Sequence, residues 1–131
     1  MDEPRATDDG TDPGVAVIPF ARAMEDPTRR RLADLPDRVL DGDPNHESVT
    51  RYSGADGALQ AGTWTSTPGR WRAFGARDEF CTILSGRVAL IAASGERQEF
   101  GAGDSFLIPN GFEGVWEVIE TATKHFVILH R

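Results

Sequence analysis

From about residue 49 the chain alternates apolar and polar positions in short runs, the period of half-buried β-strands. The pattern predicts strands over 49–53, 58–66, 70–75, 79–84, 87–93, 96–100, 105–108, 113–119 and 124–130. Gly86, Gly95, Gly103 and Gly111 fall between them at intervals of roughly eight residues, the rhythm of a β-sandwich or barrel. "ILSGRVALI" and "AASGERQEF" each read as strand, Ser-Gly turn, strand. "GAGDSFLIPNG", 101–111, reads as turn, strand, turn, with Asp104 as a turn or capping residue. No long helical period and no internal repeat follows residue 36.

Before residue 49 the pattern is weaker. "GVAVIPF", 14–20, is a short β-type run. "DPTRRRLADLP", 26–36, predicts a turn or two of helix, with Asp26 as N-cap, Pro27 at the first position and Pro36 as terminator. "DGDPNHES", 41–48, is a loop by composition, which leaves His46 exposed. Residues 1–13 carry five acids, two prolines and no large apolar residue beyond Met1, so they predict a disordered acidic tail. The expected organisation is a tail (1–13), an extension of strand, short helix and loop (14–48), and a β-barrel domain (49–131).

The length of 131 residues suits one core. A net charge of −7 argues against duplex nucleic acid or an anionic membrane as partner, because phosphate binding needs a clustered basic surface. Of the 14 basic residues, Lys124 alone is lysine. Cys81 is the single cysteine, so an intrachain disulfide or a cysteine zinc cluster cannot form within one chain. With no secretory h-region and no run near 18 apolar residues, the expected compartment is the cytoplasm.

Glu79 is followed by six residues and Gly86; Gly103 is followed by five residues, Pro109, one residue and Gly111. This spacing resembles the glutamate, glycine and proline skeleton of the two cupin motifs. "GTWTSTPGRWR", "DEFCTILSGRVAL", "GAGDSFLIPNGFEGVWEV" and "KHFVI" resemble the (S)-ureidoglycine aminohydrolase-like cupins, from about residue 40 onward. The resemblance implies an all-β, cupin-type jelly-roll β-barrel with a short N-terminal extension, an inward Glu79 and a homodimer. Metal-binding cupins carry an H-x-H pair shortly before the glutamate and a third histidine just after the P-x-G turn. Here "RWRAFGARD" precedes Glu79 without a histidine, and the third position falls on Gly114. One carboxylate cannot hold a transition metal, so neither metal nor cofactor is expected. A lesser alternative is an unorthodox metal site of Glu79 with His125 or Glu117.

If Glu79 points inward, Cys81 and Ile83 share its face. By the same parity Trp71 and Ala73 occupy the face of the missing histidine pair, and Trp116 lies with Gly114. Trp64 sits on the entering strand. The expected pocket is therefore Trp64, Trp71, Ala73, Cys81, Ile83 and Trp116 around Glu79, with Lys124 as its ion-pair partner and Cys81 a buried inert thiol. Three functions compete. The first is a barrel that binds a small-molecule ligand. The second is a metal-independent C–N hydrolase, isomerase or lyase, in which apolar walls raise the pKa of Glu79 as acid/base and Lys124 holds an anionic substrate. The third is a dimeric sensor or assembly module in which residues 14–20 add a strand.

Overall fold

The computed structural model describes residues 14–22 and 26–131, so the expected tail (1–13) lies outside the described residues. The strands are β1 (Thr28–Arg31), β2 (Val39–Gly42), β3 (Asn45–Gly54), β4 (Leu59–Ser66), β5 (Gly69–Phe74), β6 (Arg77–Ala92), β7 (Arg97–Gly101), β8 (Ser105–Ile108) and β9 (Glu113–His130). Two short 3-10 turns, Leu32–Asp34 and Ala55–Gly57, are the helical elements among the described residues. No helix there is long and apolar enough to cross a membrane.

Two long strands organise the sheet. β9 pairs with β6 along almost its whole length, from Gly114↔Ala92 to His130↔Arg77. Its other edge takes β5 at one end and β4 at the other. The far edge of β6 takes β7 and β8 in the same divided way. β3 and β1 extend the sheet beyond β4, and β2 extends it beyond β5. This divided, curled antiparallel sheet is the jelly-roll barrel that the cupin resemblance implies, within the sandwich-or-barrel class that the glycine rhythm predicts.

β6 corrects one expected hairpin. Ser85-Gly86 is no turn but the centre of a bulge, where the register against β9 shifts between Ile83 and Val88. Glu79, Cys81 and Ile83 are buried before the bulge and Val88, Ala89 and Leu90 after it; the core-packed side chains pass from odd positions to Val88 and Leu90, so their parity switches there. The runs 113–119 and 124–130 likewise form one strand. The second expected hairpin does form, with β6 and β7 joined through Ser94-Gly95. Asp104 closes the next turn, its carboxylate accepting from the Gly101 amide at 2.8 Å.

The N-terminal elements differ most from expectation. Residues 28–31 form a strand, not a helix, and residues 14–19 form no strand; Val15 and Val17 are fully exposed. The expected loop 41–48 contains the end of β2 and the start of β3. β1 carries almost no apolar residue; it is a strand because β3 supplies a hydrogen-bonding edge, with Thr28↔Ser48 to Arg31↔Asn45 in register. Tertiary pairing overrides a weak local helix signal here. Leu32, just beyond β1, is buried and joins the core of Trp64, Trp71, Ile83, Val88, Trp116 and Val118.

Candidate functional site

Four strands bring the central groups together. Glu79 (β6) and Lys124 (β9) are each 5% exposed. Lys124 Nζ donates to Glu79 Oε2 at 2.8 Å. The same ammonium lies 4.5 Å from the Trp64 ring centroid and 4.4 Å from that of Trp116, a cation held over two indole faces. Trp71 lies parallel to Trp116 at 6.1 Å, because the two are cross-strand partners in the β5–β9 ladder. Arg77 approaches the other Glu79 oxygen at 3.5 Å, and the Cys81 thiol donates to Oε2 at 3.3 Å.

Burial pushes the Glu79 carboxyl up, but the charge and hydrogen bond of Lys124, with Arg77 and Cys81, outweigh it and hold its pKa below the ordinary value. The raised pKa expected for an acid/base Glu79 is therefore corrected: the carboxylate is ionised. Burial, first of all, pushes the Cys81 thiol up to about 12, which leaves it unreactive at neutral pH.

A cavity of about 350 Å³ opens above this pair. Trp64, Trp71, Ala73, Trp116, Glu79 and Lys124 all line it. Cys81 and Ile83 do not; both are fully buried behind Glu79 in the core. Strand parity assigned their side of the sheet correctly, but parity says nothing about depth.

Several lining residues escaped the sequence reading. β1 and β3 contribute Thr28, Arg30, His46, Ser48 and Thr50; Arg38, Arg77, Phe112 and Phe126 complete much of the rest. His46, expected exposed in a loop, sits on β3 with its ring edge-on to Trp64 at 5.0 Å and Trp71 at 4.8 Å. Its Nε2 is buried and makes no hydrogen bond among the described residues. Burial, then the charges of Lys124, Arg30 and Arg38, push its pKa down to about 4, so the ring is neutral. The alternation Thr28, Arg30, Leu32 against His46, Ser48, Thr50 was the available signal, hidden by the absence of apolar residues.

The neutral imidazole has a consequence for stability. The unfolded chain takes up a proton near pH 6.5, whereas the folded chain resists until about pH 4. Stability is unaffected above pH 6.5 and falls as pH drops through that window, by about 2 kcal/mol once partial exposure is allowed for. Urea midpoints at pH 7.5 and 4.5 should therefore separate less in His46→Gln than in the parent chain. Equal pH losses in both proteins would refute the buried neutral ring.

The donor set does not fit a divalent ion. No group of three His, Cys, Asp or Glu side chains able to hold one occurs among the described residues. Both Glu79 oxygens face cationic donors, and the Lys124 ammonium beside them repels a second cation. Gly114, at the third motif position, has no room for a side chain: a Cβ there would come within 2.1 Å of the Ile91 carbonyl oxygen. The alternative donors do not converge either. His125 Nδ1 is hydrogen-bonded to Thr63 on the opposite face, and Glu117 pairs with Arg97.

Residues 53–126 match the family model described as the EutQ-like cupin domain. No curated protein matches the chain. An ethanolamine utilization protein Q from Salmonella typhimurium LT2 is 20% identical at a TM-score of 0.58, covering 64% of this chain and 68% of that one. The EutQ protein of Clostridium difficile is 16% identical at 0.59, covering 66% and 63%. A DUF861-family protein of unknown function from Pseudomonas syringae pv. tomato DC3000 is 21% identical at 0.69; it covers 80% of this chain, which spans only 45% of the Pseudomonas chain. At these identities the structures share a fold.

Proposed function

Starting from the fact that the chain belongs to the EutQ-like cupin domain family, we propose that its barrel is a small-molecule-binding pocket that works without a metal. The observation that carries this reading is the cavity itself: about 350 Å³, floored by a buried ion pair and walled by three tryptophans. That volume is at the small end of ligand pockets, which run from about 300 to 1,000 Å³. Apolar walls supply burial, while Lys124, Glu79 and the unpaired His46 nitrogen supply orientation.

Catalysis is the narrower reading. Glu79 is ionised and already accepts from Lys124 and Cys81, with Arg77 close by, so it is a poor general acid and a weak base at neutral pH. Its role in the proposal is to hold Lys124 in place. The likeness to (S)-ureidoglycine aminohydrolase-like cupins, a finer assignment than the family, adds ureido and amidine compounds to the candidate ligands.

The chain's three tryptophans are Trp64, Trp71 and Trp116, all lining the cavity, so selectively excited tryptophan fluorescence, as distinct from the Tyr52 signal, reports on it. A library of small carboxylates, phosphates, amides and amines should contain compounds that change the emission saturably. Thr50→Trp, which projects a large side chain into the cavity, should abolish that saturable change. A response that survives Thr50→Trp places binding elsewhere and rejects the pocket.

A further inference from the structure

The cavity carries a charge opposite to that of the protein. The chain's net charge is −7, yet the charged groups lining the cavity are Arg30, Arg38, Arg77, Lys124 and a single carboxylate, Glu79. Glu79 is already committed to Lys124 at 2.8 Å. The surplus positive charge therefore lies on the arginines.

Strand alternation explains how it arises. In β1, "TRRR", Arg29 and Arg31 turn outward and are neutralised by Glu47 at 2.8 Å and Asp43 at 3.0 Å. Arg30, between them, faces the cavity directly across from His46 in the β1–β3 ladder. It has no carboxylate partner among the described residues. Arg38 is held from the other side: its Nε donates to the Arg72 carbonyl at 2.7 Å, and its guanidinium lies 4.8 Å from the Phe74 ring centroid. It too lacks a carboxylate among the described residues. Arg30 and Arg77 both depress Arg38, after burial, which places the three guanidinium groups within electrostatic reach of one another.

Below these cations lie flat apolar surfaces, Trp64, Trp71 and Phe112, and the buried His46 Nε2 with an unused hydrogen-bonding capacity. We propose that the pocket takes a small planar organic anion: an oxyanion, carboxylate or phosphate, at the Arg30–Arg38 rim, and an unsaturated body against the indoles within reach of His46. A guanidinium offers paired N–H donors that match such an oxyanion, and the neutral imidazole adds no competing charge. The assignment rests on the pocket reading above and specifies its ligand class.

Four probes of one shape decide it: benzoate, phenyl phosphate, benzamide and benzylamine, titrated by tryptophan fluorescence and calorimetry at low salt. Benzoate, phenyl phosphate or both should bind at least about tenfold more tightly than benzamide, since a charge-assisted hydrogen bond is roughly twice as strong as a neutral one. Benzylamine should not bind. Which anion leads identifies the oxyanion. Arg30→Gln, at an exposed strand position, should weaken the leading anion about fivefold and flatten its salt dependence. Arg29→Gln, one residue away on the outer face, should leave it unchanged. Benzamide or benzylamine binding as tightly as either anion overturns the anion assignment while the pocket stands. Equal losses in Arg29→Gln and Arg30→Gln do the same. No response to any probe, from a chain whose crystals show a collapsed cavity, overturns both the assignment and the pocket; no response with the cavity open overturns the assignment alone.

Discussion

Lys124→Met is expected to destabilise the barrel by about 3 kcal/mol, read as a fall of roughly 10 °C in Tm. The substitution keeps the aliphatic stem but removes the one cation within 3 Å of Glu79 among the described residues. A carboxylate 5% exposed is then left with Arg77 at 3.5 Å and the Cys81 thiol. Removing one member of a buried pair costs about 3–5 kcal/mol, and the residual Arg77 contact places this case at the lower end. The sign of the pH effect follows. Without Lys124, burial dominates and lifts the Glu79 pKa above its unfolded value, so the folded state gains affinity for a proton. The deficit should therefore shrink as pH falls toward 5. Glu79→Leu combined with Lys124→Met replaces both charges by apolar groups and should come within about 1 kcal/mol of the parent chain. A single substitution that leaves the urea midpoint unchanged would mean that the pair is solvated.

Gly86→Ala should cost a comparable amount, for a steric reason. Gly86 has φ +83°, a region that costs a side-chain-bearing residue roughly 1–2 kcal/mol. Its added Cβ would also fall 2.2 Å from the Thr121 carbonyl oxygen and 2.7 Å from the Ala122 Cα. Both atoms are backbone of β9, which cannot move without opening the longest ladder in the sheet. Overpacking of this kind adds about 1–3 kcal/mol, for a total near 3–4. Gly103→Ala is the matched control. Its φ is +91°, but nothing lies within 4 Å of a Cβ there, so only the roughly 1–2 kcal/mol of backbone strain should appear. Denaturant unfolding of the two variants separates strain from contact, and equal losses would show that the β6 bulge is not in close contact with β9.

These two variants also mark what the sequence made legible. The inward Glu79 came from the cupin-like spacing, Trp71 and Trp116 from parity with the positions of the missing ligands, Trp64 from its place on the entering strand, and Lys124 as the cation available to a buried carboxylate. Gly86 was recognised as a fixed position but misread as a turn. A Ser-Gly pair serves a hairpin and a bulge equally well, and only the partner strand decides between them. The gap read between 119 and 124 has no Gly or Pro to break a strand, and β9 runs straight through it. The arginine rim was not legible. β1 and the start of β3 have no apolar alternation of their own and are strands because neighbouring edges recruit them. Their inward residues, Arg30 and His46, emerge only once the ladder is known.

An ammonium–carboxylate pair under indole rings stands where the cupin resemblance would imply metal ligands. The most direct test of this placement is an anomalous-difference map from crystals grown with zinc and with manganese. No peak is expected within coordination distance of Glu79, with Lys124 Nζ still near 2.8 Å from Oε2. A stoichiometric peak on Glu79, with Lys124 swung away, would contradict it.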